Sequence, residues 1–168
     1  MTGYHDVICC LQETEKFAAI REVVYNCPVF SGLDDKDHFI DAVVRRERIE
    51  TTGIGRGVAI AHGKVRDIDR VKVGLGISAK GVDFRSPDGG VVHLLFVIGS
   101  SPLRQVEYLK TLASIMRFVK HKHVRNELIR RAEQTDFSEG SEDACLDFMR
   151  LMADQHFAAF FDTRFRSH

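Results

Sequence analysis

This 168-residue sequence lacks a net charge, a long apolar run and a CxxC cysteine pair, and each absence excludes a class of function. Lys and Arg together number 24, as do Asp and Glu, so the overall charge gives no drive toward nucleic acid. No apolar run approaches the roughly 20 residues that span a bilayer, so membrane insertion is not expected. The four cysteines are too sparse for a disulfide framework, which predicts buried thiols and no cysteine metal site.

The N-terminal residues also lack the features of an export signal. The opening residues, MTGYHDVICC, have no basic region ahead of an apolar stretch, which a secretory signal requires. A cytoplasmic protein is therefore expected. The length favours one domain over residues 1–168, and no linker or internal repeat divides it.

Apolar periodicity changes along the chain from helical to strand-like and back. Helical spacing predicts helices over about Glu13–Asn26 and Asp35–Arg46. Alternation over Val71–Ser78 and a near-continuous apolar run over Val91–Gly99 predict two strands, the second covered on both faces. A capping serine at Ser101, followed by proline, opens a third helix. Further predicted segments are a short strand at Val82–Phe84, helices over about Val124–Ala132 and from Ser141, and a C-terminal extension over Phe157–His168.

This order of elements predicts an α/β fold, a central sheet with helices on both faces. Within it, the stretch Thr51–Lys64, TTGIGRGVAIAHGK, places three glycines and an apolar run before His62. Such a turn before a short strand can present an imidazole at an open surface among free backbone amides, which suits an anionic group. An incidental histidine after a glycine-rich turn explains the pattern equally well.

The basic segment RRER, Arg45–Arg48, lies about 16 residues before His62. If the second helix ends beside the glycine-rich turn, the guanidinium of Arg46 could reach an anion held on His62, because its planar donor fork matches phosphate oxygens. The alternative is a solvated basic helix end that complements the helix dipole.

The remaining motifs do not favour nucleotide, metal or hydrolase chemistry. GIGRG is not the dinucleotide fingerprint, and GKV lacks the spacing of a P-loop. His121 and His123 are expected on a solvated surface, and His93, inside an apolar strand, is expected to be a hydrogen-bonded core residue. No GxSxG elbow is present. The sequence therefore predicts no cofactor and no metal.

The segment RERIETTGIGRGVAIAHGK, Arg46–Lys64, resembles the active-site signature of the mannitol/fructose-type IIA domains of the bacterial phosphotransferase system, approximately RE…STGIGxGIAIPHGK. The resemblance extends to Lys16 near the start of the first helix, to the strands VKVGLGIS and VVHLLFVIG, and to the helix LRQVEYLKTLASIMR. It covers a core of about 11–151 and leaves 157–168 as an extension. It implies a mixed β-sheet flanked by helices on both faces.

The resemblance implies that His62 accepts a phosphoryl group from a small histidine-containing phosphocarrier protein of the HPr or NPr type. Arg46 takes the position of the arginine beside the phosphohistidine. Two positions depart from the family pattern: Ala61 replaces the usual proline, and Tyr108 stands where many members carry a second histidine. A tyrosine hydroxyl can donate a hydrogen bond but cannot be a cation at neutral pH. Phosphate stabilisation would then rest more on Arg46 and on backbone amides.

Three functions stay open under this resemblance. A chain with no attached IIB or membrane part favours the nitrogen-regulatory type, whose partners are the phosphocarrier protein and regulatory targets. The second function is a sugar-transport IIA component that passes phosphate to a IIB domain. The third is a degenerate IIA-like module that binds proteins without being phosphorylated, and the change to Tyr108 is its only support. Whether the protein counts as an enzyme is left open, as is its oligomeric state.

Overall fold

A five-stranded sheet covered by helices on both faces makes up the fold in the computed structural model, which describes residues 7–134. The predicted helix from Ser141 and the extension over 157–168 lie outside these residues. The strands are β1 (Ile8–Leu11), β2 (Gly53–Gly55), β3 (Val58–Lys64), β4 (Lys72–Val82) and β5 (Val92–Ser100); the helices are α1 (Lys16–Asn26), α2 (Lys36–Ile49), α3 (Gln105–Lys120) and α4 (Lys122–Gln134).

The sheet is mixed, with strand order β1-β4-β5-β3-β2. β3 runs parallel to β5 and β1 parallel to β4, whereas β4–β5 and β2–β3 are antiparallel. The predicted mixed sheet with helices on both faces is therefore confirmed. β5 is the central strand of the five and is buried along its whole length, as its near-continuous apolar sequence indicates.

The two faces of β3 belong to different halves of the core. Ala59 and Ala61 pack in the cluster that holds the apolar residues of α1 and α2, while Val58 and Ile60 pack in the cluster that holds those of α3 and α4. Because side chains alternate between the faces of a strand, His62 lies on the α3 face of the sheet.

The helix boundaries explain where the basic segment lies. α1 begins at Lys16, because the Glu15 carboxylate caps it by accepting from the N–H groups of Phe17 and Ala18. α2 continues to Ile49, three residues beyond the predicted end, so Arg46 lies in its last turn.

Three sequence predictions need correction. β1 and β2 were not predicted, and Val82, expected in a separate strand, is the end of β4 after a register shift. Cys9 and Cys27 are buried free thiols as predicted, but Cys10 is disulfide-bonded, so the prediction of unpaired cysteines is wrong there.

Candidate functional site

The imidazole of His62 has one nitrogen held by the backbone. Its Nδ1 lies 3.2 Å from the carbonyl oxygen of Ile60, two residues earlier on β3. A carbonyl oxygen can only accept a hydrogen bond, so Nδ1 carries the hydrogen and Nε2 carries the lone pair. No group in residues 7–134 bonds Nε2. The backbone oxygen of Ile60, an acceptor that the sequence did not identify, therefore holds the ring in the tautomer with a free lone pair on Nε2, which a nucleophile needs.

The surroundings of His62 keep its ring neutral. The side chain is half-buried, and burial lowers its pKa below the ordinary value of 6.5. The cations of Arg46 and Lys64 lower the pKa further, against the hydrogen bond to Ile60 and the carboxylate of Glu47, which raise it. The imidazole is thus the neutral base at pH 7, next to two positive charges.

Tyr108, on the first turn of α3, lies beside this imidazole. The centroids of the two rings are 5.8 Å apart with the planes tilted by 46°. Lys64 Nζ lies 5.1 Å from the centroid of the tyrosine ring and donates a hydrogen bond to Gln105 Oε1. Burial raises the pKa of Tyr108, against the lowering effect of Arg46. The side chain is therefore an uncharged phenol at neutral pH, with a cation at its ring face.

Arg46 comes from the helix on the other face of the sheet, and its charge acts on both His62 and Tyr108. Its Nη1 donates to the carbonyl oxygen of Glu50, 3.0 Å away, just past the end of α2. The short strand β2 pairs only with Val58 and Ala59. In the described part of the chain, the half of β3 that carries His62 thus has no strand on its outer side, which gives the end of α2 access to the imidazole.

Backbone amides also point to this open edge. Val65 N–H points toward β5 and bonds to the carbonyl oxygen of Ser100, the last residue of that strand, whereas Ile60 N–H points the other way and bonds to Thr52 O. By the two-residue period of a strand, the N–H groups of His62 and Lys64 point to the same side as that of Ile60. The edge therefore combines an imidazole nitrogen, two cations and amide donors, a set suited to an anion.

A buried carboxylate that the sequence analysis did not single out supports the end of α2. The Glu47 side chain has no exposure and lies 3.3 Å from Lys16 Nζ. It also accepts from the N–H and the hydroxyl of Thr52, with both carboxylate oxygens 3.1 Å from that nitrogen. It thus joins α1, α2 and the glycine-rich segment. Helical spacing from Val43, four residues earlier and buried, was the available signal.

Gly63 sets the distance between α2 and β3. A Cβ atom at this position would lie 2.9 Å from the backbone nitrogen of Val43 and 3.2 Å from the carbonyl carbon of Ala42. The absence of a side chain therefore lets the helix rest against the strand beside His62.

The other histidines considered from sequence lie away from this edge. His93 is buried, its Nδ1 lies 2.7 Å from Ser78 O, and its Nε2 lies 3.3 Å from a Glu133 carboxylate oxygen. The prediction of a hydrogen-bonded core histidine is confirmed. His121 and His123 are exposed at the junction of α3 and α4. Within residues 7–134, no group of three or more His, Cys, Asp or Glu side chains could hold a metal ion.

Comparison with known families matches most of this chain to one family. Residues 5–140 match the model of the family described as "Phosphoenolpyruvate-dependent sugar phosphotransferase system, EIIA 2". The chain belongs to this family. It is a IIA domain with relatives among both fructose and nitrogen-regulatory proteins. None of the helices in the described residues has the length and apolar character to cross a membrane.

Two relatives illustrate this range. The chain is 30% identical over 145 residues to the fructose-specific EIIABC component of Bacillus subtilis, a match that covers 86% of this chain and 22% of that protein. It is 28% identical over 125 residues to the nitrogen regulatory protein of Bradyrhizobium diazoefficiens, covering 73% and 79%. The chain therefore spans less than a quarter of the Bacillus protein and most of the Bradyrhizobium protein.

Solved structures share the fold at low sequence identity. The nitrogen regulatory protein IIA-Ntr of Neisseria meningitidis superposes with a TM-score of 0.68 at 23% identity, over 76% of this chain and 86% of that one. The Escherichia coli IIA mannitol component, in its complex with phosphorylated IIB mannitol, gives a TM-score of 0.61 at 18% identity, over 89% and 97%. These likenesses confirm the architecture.

Proposed function

We propose that this protein is a phosphocarrier that accepts a phosphoryl group on Nε2 of His62 from a histidine-containing phosphocarrier protein of the HPr or NPr type. The observation that carries the proposal is the state of the imidazole. Its Nδ1 bonds to Ile60 O, and its Nε2 has no partner among the described residues while two cations act on the ring. Membership of the IIA family supports the same chemistry.

In the proposed reaction, the lone pair of Nε2 attacks the phosphorus of the donor's phosphohistidine. A P–N bond forms at His62 as the P–N bond to the donor imidazole breaks, and the electron pair of that bond stays with the donor nitrogen. The hydrogen on Nδ1 stays there throughout and remains donated to Ile60 O. Arg46, Lys64 and the outward backbone N–H groups stabilise the oxygens of the transferring group, so the protein supplies position and charge without a metal or nucleotide.

The adduct would change the charge of the edge. A phosphoryl group adds about two negative charges at neutral pH, placed where the unmodified protein presents Arg46 and Lys64. A partner that recognises one form would therefore reject the other. The nitrogen-regulatory function, which we take as the first candidate, would use this change of charge to select target proteins.

A second candidate is transfer to a IIB domain during sugar uptake. The similarity to a fructose-specific protein over 86% of this chain favours it. Both candidates use His62 in the same way and differ only in whether a chemical acceptor follows.

The decisive experiment is intact mass spectrometry after incubation with phosphoenolpyruvate, the general phosphotransferase enzyme and its phosphocarrier. We expect one acid-labile phosphoryl adduct on the wild-type chain and none on His62→Ala. His121→Ala, a change at an exposed histidine, is the matched control and should still be modified. An adduct on His62→Ala, or one that resists acid, would contradict the proposal.

A second arm adds IIB domains to the phosphorylated protein. Loss of the adduct with gain of mass on IIB supports sugar transport, whereas an adduct that persists supports the regulatory function. An unmodified wild-type chain, under conditions that phosphorylate a known IIA domain, would support the degenerate module.

A further inference from the structure

A second group of cations lies at the opposite end of β3 from His62. It surrounds a cavity of about 420 Å³ between the glycine-rich turn and the end of α3. No carboxylate is among the described residues that line this cavity, although the chain as a whole is neutral. The lining combines positive charge with apolar surface: Arg56, Arg117, Lys120 and Arg125 with Ile54 and Met116.

Arg125 is the most unusual of these cations, because it is buried and has no counter-ion among residues 7–134. The residue is 5% exposed, and its Nη1 donates to Val119 O at 2.6 Å. Within the part of the chain that the structure describes, its Nε has no hydrogen-bond partner and no carboxylate forms an ion pair with it. Burial and the charge of Arg56 both lower its pKa. A buried charge is ordinarily paired, and none of the described residues supplies the anion that this guanidinium would be expected to have.

The backbone of the turn holds Arg56 beside Arg125. Arg56 has φ +60°, between two glycines that also have positive φ. Its N–H donates to an Asp88 carboxylate oxygen 2.7 Å away, which fixes the turn. Arg56 and Arg125 also line an adjoining cavity of about 610 Å³ that includes Lys122. The one carboxylate among the lining residues of that cavity, Glu133, lies 3.3 Å from His93.

From this arrangement we infer that the cavity binds a small multivalent oxyanion, a phosphate ester or a polycarboxylate, between Arg56 and Arg125. Guanidinium forks match the paired oxygens of both chemistries. The apolar residues Ile54 and Met116 would contact the organic part of such a ligand. Val58, which also lines the cavity, lies four residues before His62. That is about 13 Å at roughly 3.3 Å per strand residue, so one small ligand does not occupy both places.

All binding measurements use the His62→Ala variant, into which the further substitutions are introduced. Because this variant lacks the proposed phosphorylation site, the result does not depend on whether the proposed function is correct. Pyrophosphate and citrate are titrated separately by calorimetry at constant ionic strength, and binding is mapped by amide chemical shifts. We expect saturable 1:1 binding, with shifts at residues 55–57 and 120–125. Pyrophosphate alone, citrate alone, or both identify the oxyanion class, and each supports the site.

Variants decide whether the cavity is responsible. Arg56→Met should weaken binding by about tenfold or more, since a charged hydrogen-bonding partner is lost. Lys36→Met, at the start of α2 on the other face of the sheet, should leave affinity unchanged. Arg125→Met should abolish binding, with thermal unfolding as a check; if this variant fails to fold, Arg56→Met decides alone. Absence of saturable binding, equal weakening in Lys36→Met, or shifts centred on residues 46 and 62–64 would overturn the inference.

Discussion

Two histidines on the neighbouring parallel strands β3 and β5 are held in contrasting ways. His62 is half-buried near one end of the strand pair, with Nδ1 held by its own strand and Nε2 unbonded within the described residues. His93 is buried near the other end, with one nitrogen bonded to Ser78 O and the other beside Glu133. The strand environment fixes both rings. What distinguishes a candidate nucleophile is a lone pair that no protein group uses, close to cations that can receive an anion.

The most direct test of this difference between His62 and His93 removes each ring in turn. His62→Ala should lose phosphorylation completely, whereas His93→Ala should keep it and lose about 1–3 kcal/mol of stability, because Ser78 O is left without its buried partner. Intact mass and denaturant unfolding measure the two effects. A phosphorylation defect in a folded His93→Ala protein would show that the two ends of the strand pair are coupled.

The packing of α1 and α2 near His62 also includes a buried ion pair, between Lys16 and Glu47. Glu47→Ala should lower the free energy of unfolding by about 3–5 kcal/mol, since Lys16 is left without a counter-charge and Thr52 without its acceptor. Glu50→Ala, three residues later and exposed, is the control and should change stability by less than about 0.5 kcal/mol. Urea unfolding measures both. Similar small losses in the two variants would mean that the buried carboxylate does not anchor this end.

Arg46 should matter more than its neighbour on the same helix. Arg46→Met should slow phosphorylation about 10²–10³-fold, the typical effect of removing one donor to a developing anion. Arg45→Met, exposed on α2, should have little effect. Quenched-flow measurement of the adduct compares the rates. Equal rates for the two variants would remove Arg46 from the site.

Substitutions at Tyr108 test whether a second imidazole beside His62 speeds phosphoryl transfer. Tyr108→His should raise the rate of phosphoryl transfer about tenfold, a part of the 10²–10⁴-fold range of acid–base assistance, because it supplies a group that can become cationic. Tyr108→Phe is the control, which keeps the ring but not the hydroxyl. Identical kinetics for the wild type and Tyr108→His would show that this position has no part in transfer.

The smallest expected effect is on the pKa of His62. Nuclear magnetic resonance should find it below 6.5, and Arg46→Met should raise it, since burial and then the neighbouring cations lower it. The unfolded chain therefore binds the proton first as the pH falls. The contribution of His62 to stability is full above about 6.5 and is lost as the pH falls through the folded pKa. A pKa at or above 6.5 contradicts this account.

The sequence was sufficient where the apolar pattern of an element was regular along its length. Alternation predicted the strand around Val73, a near-continuous apolar run predicted the strand around Leu95, and helical spacing predicted the first three helices. His62 was singled out by the glycine-rich motif and by the family resemblance. β1 was missed because Ile8–Leu11 is only four residues long and pairs with β4, more than 60 positions away. Glu47 was hidden among basic residues, and its partner Lys16 lies 31 positions away on another helix.

The acceptor for Nδ1 could not be predicted for a different reason. Ile60 O is a backbone atom that every residue possesses, so no residue type indicates its role. Tyr108 was placed by motif resemblance, and the structure brings its ring next to His62; its chemical role stays a prediction.

Gly63 makes the geometry of this site sensitive to a position that has no chemical role of its own in the proposed reaction. A methyl group added at Gly63 would come too close to the backbone of α2. The helix would have to shift away from β3, and Arg46 would move with it. His62 and Arg46 would both still be present, but the distance between the imidazole and the guanidinium would increase. If His62 carries the phosphoryl group as proposed, the distance over which Arg46 must reach it is set by the absence of a side chain at Gly63, so a substitution to alanine at this position should slow transfer.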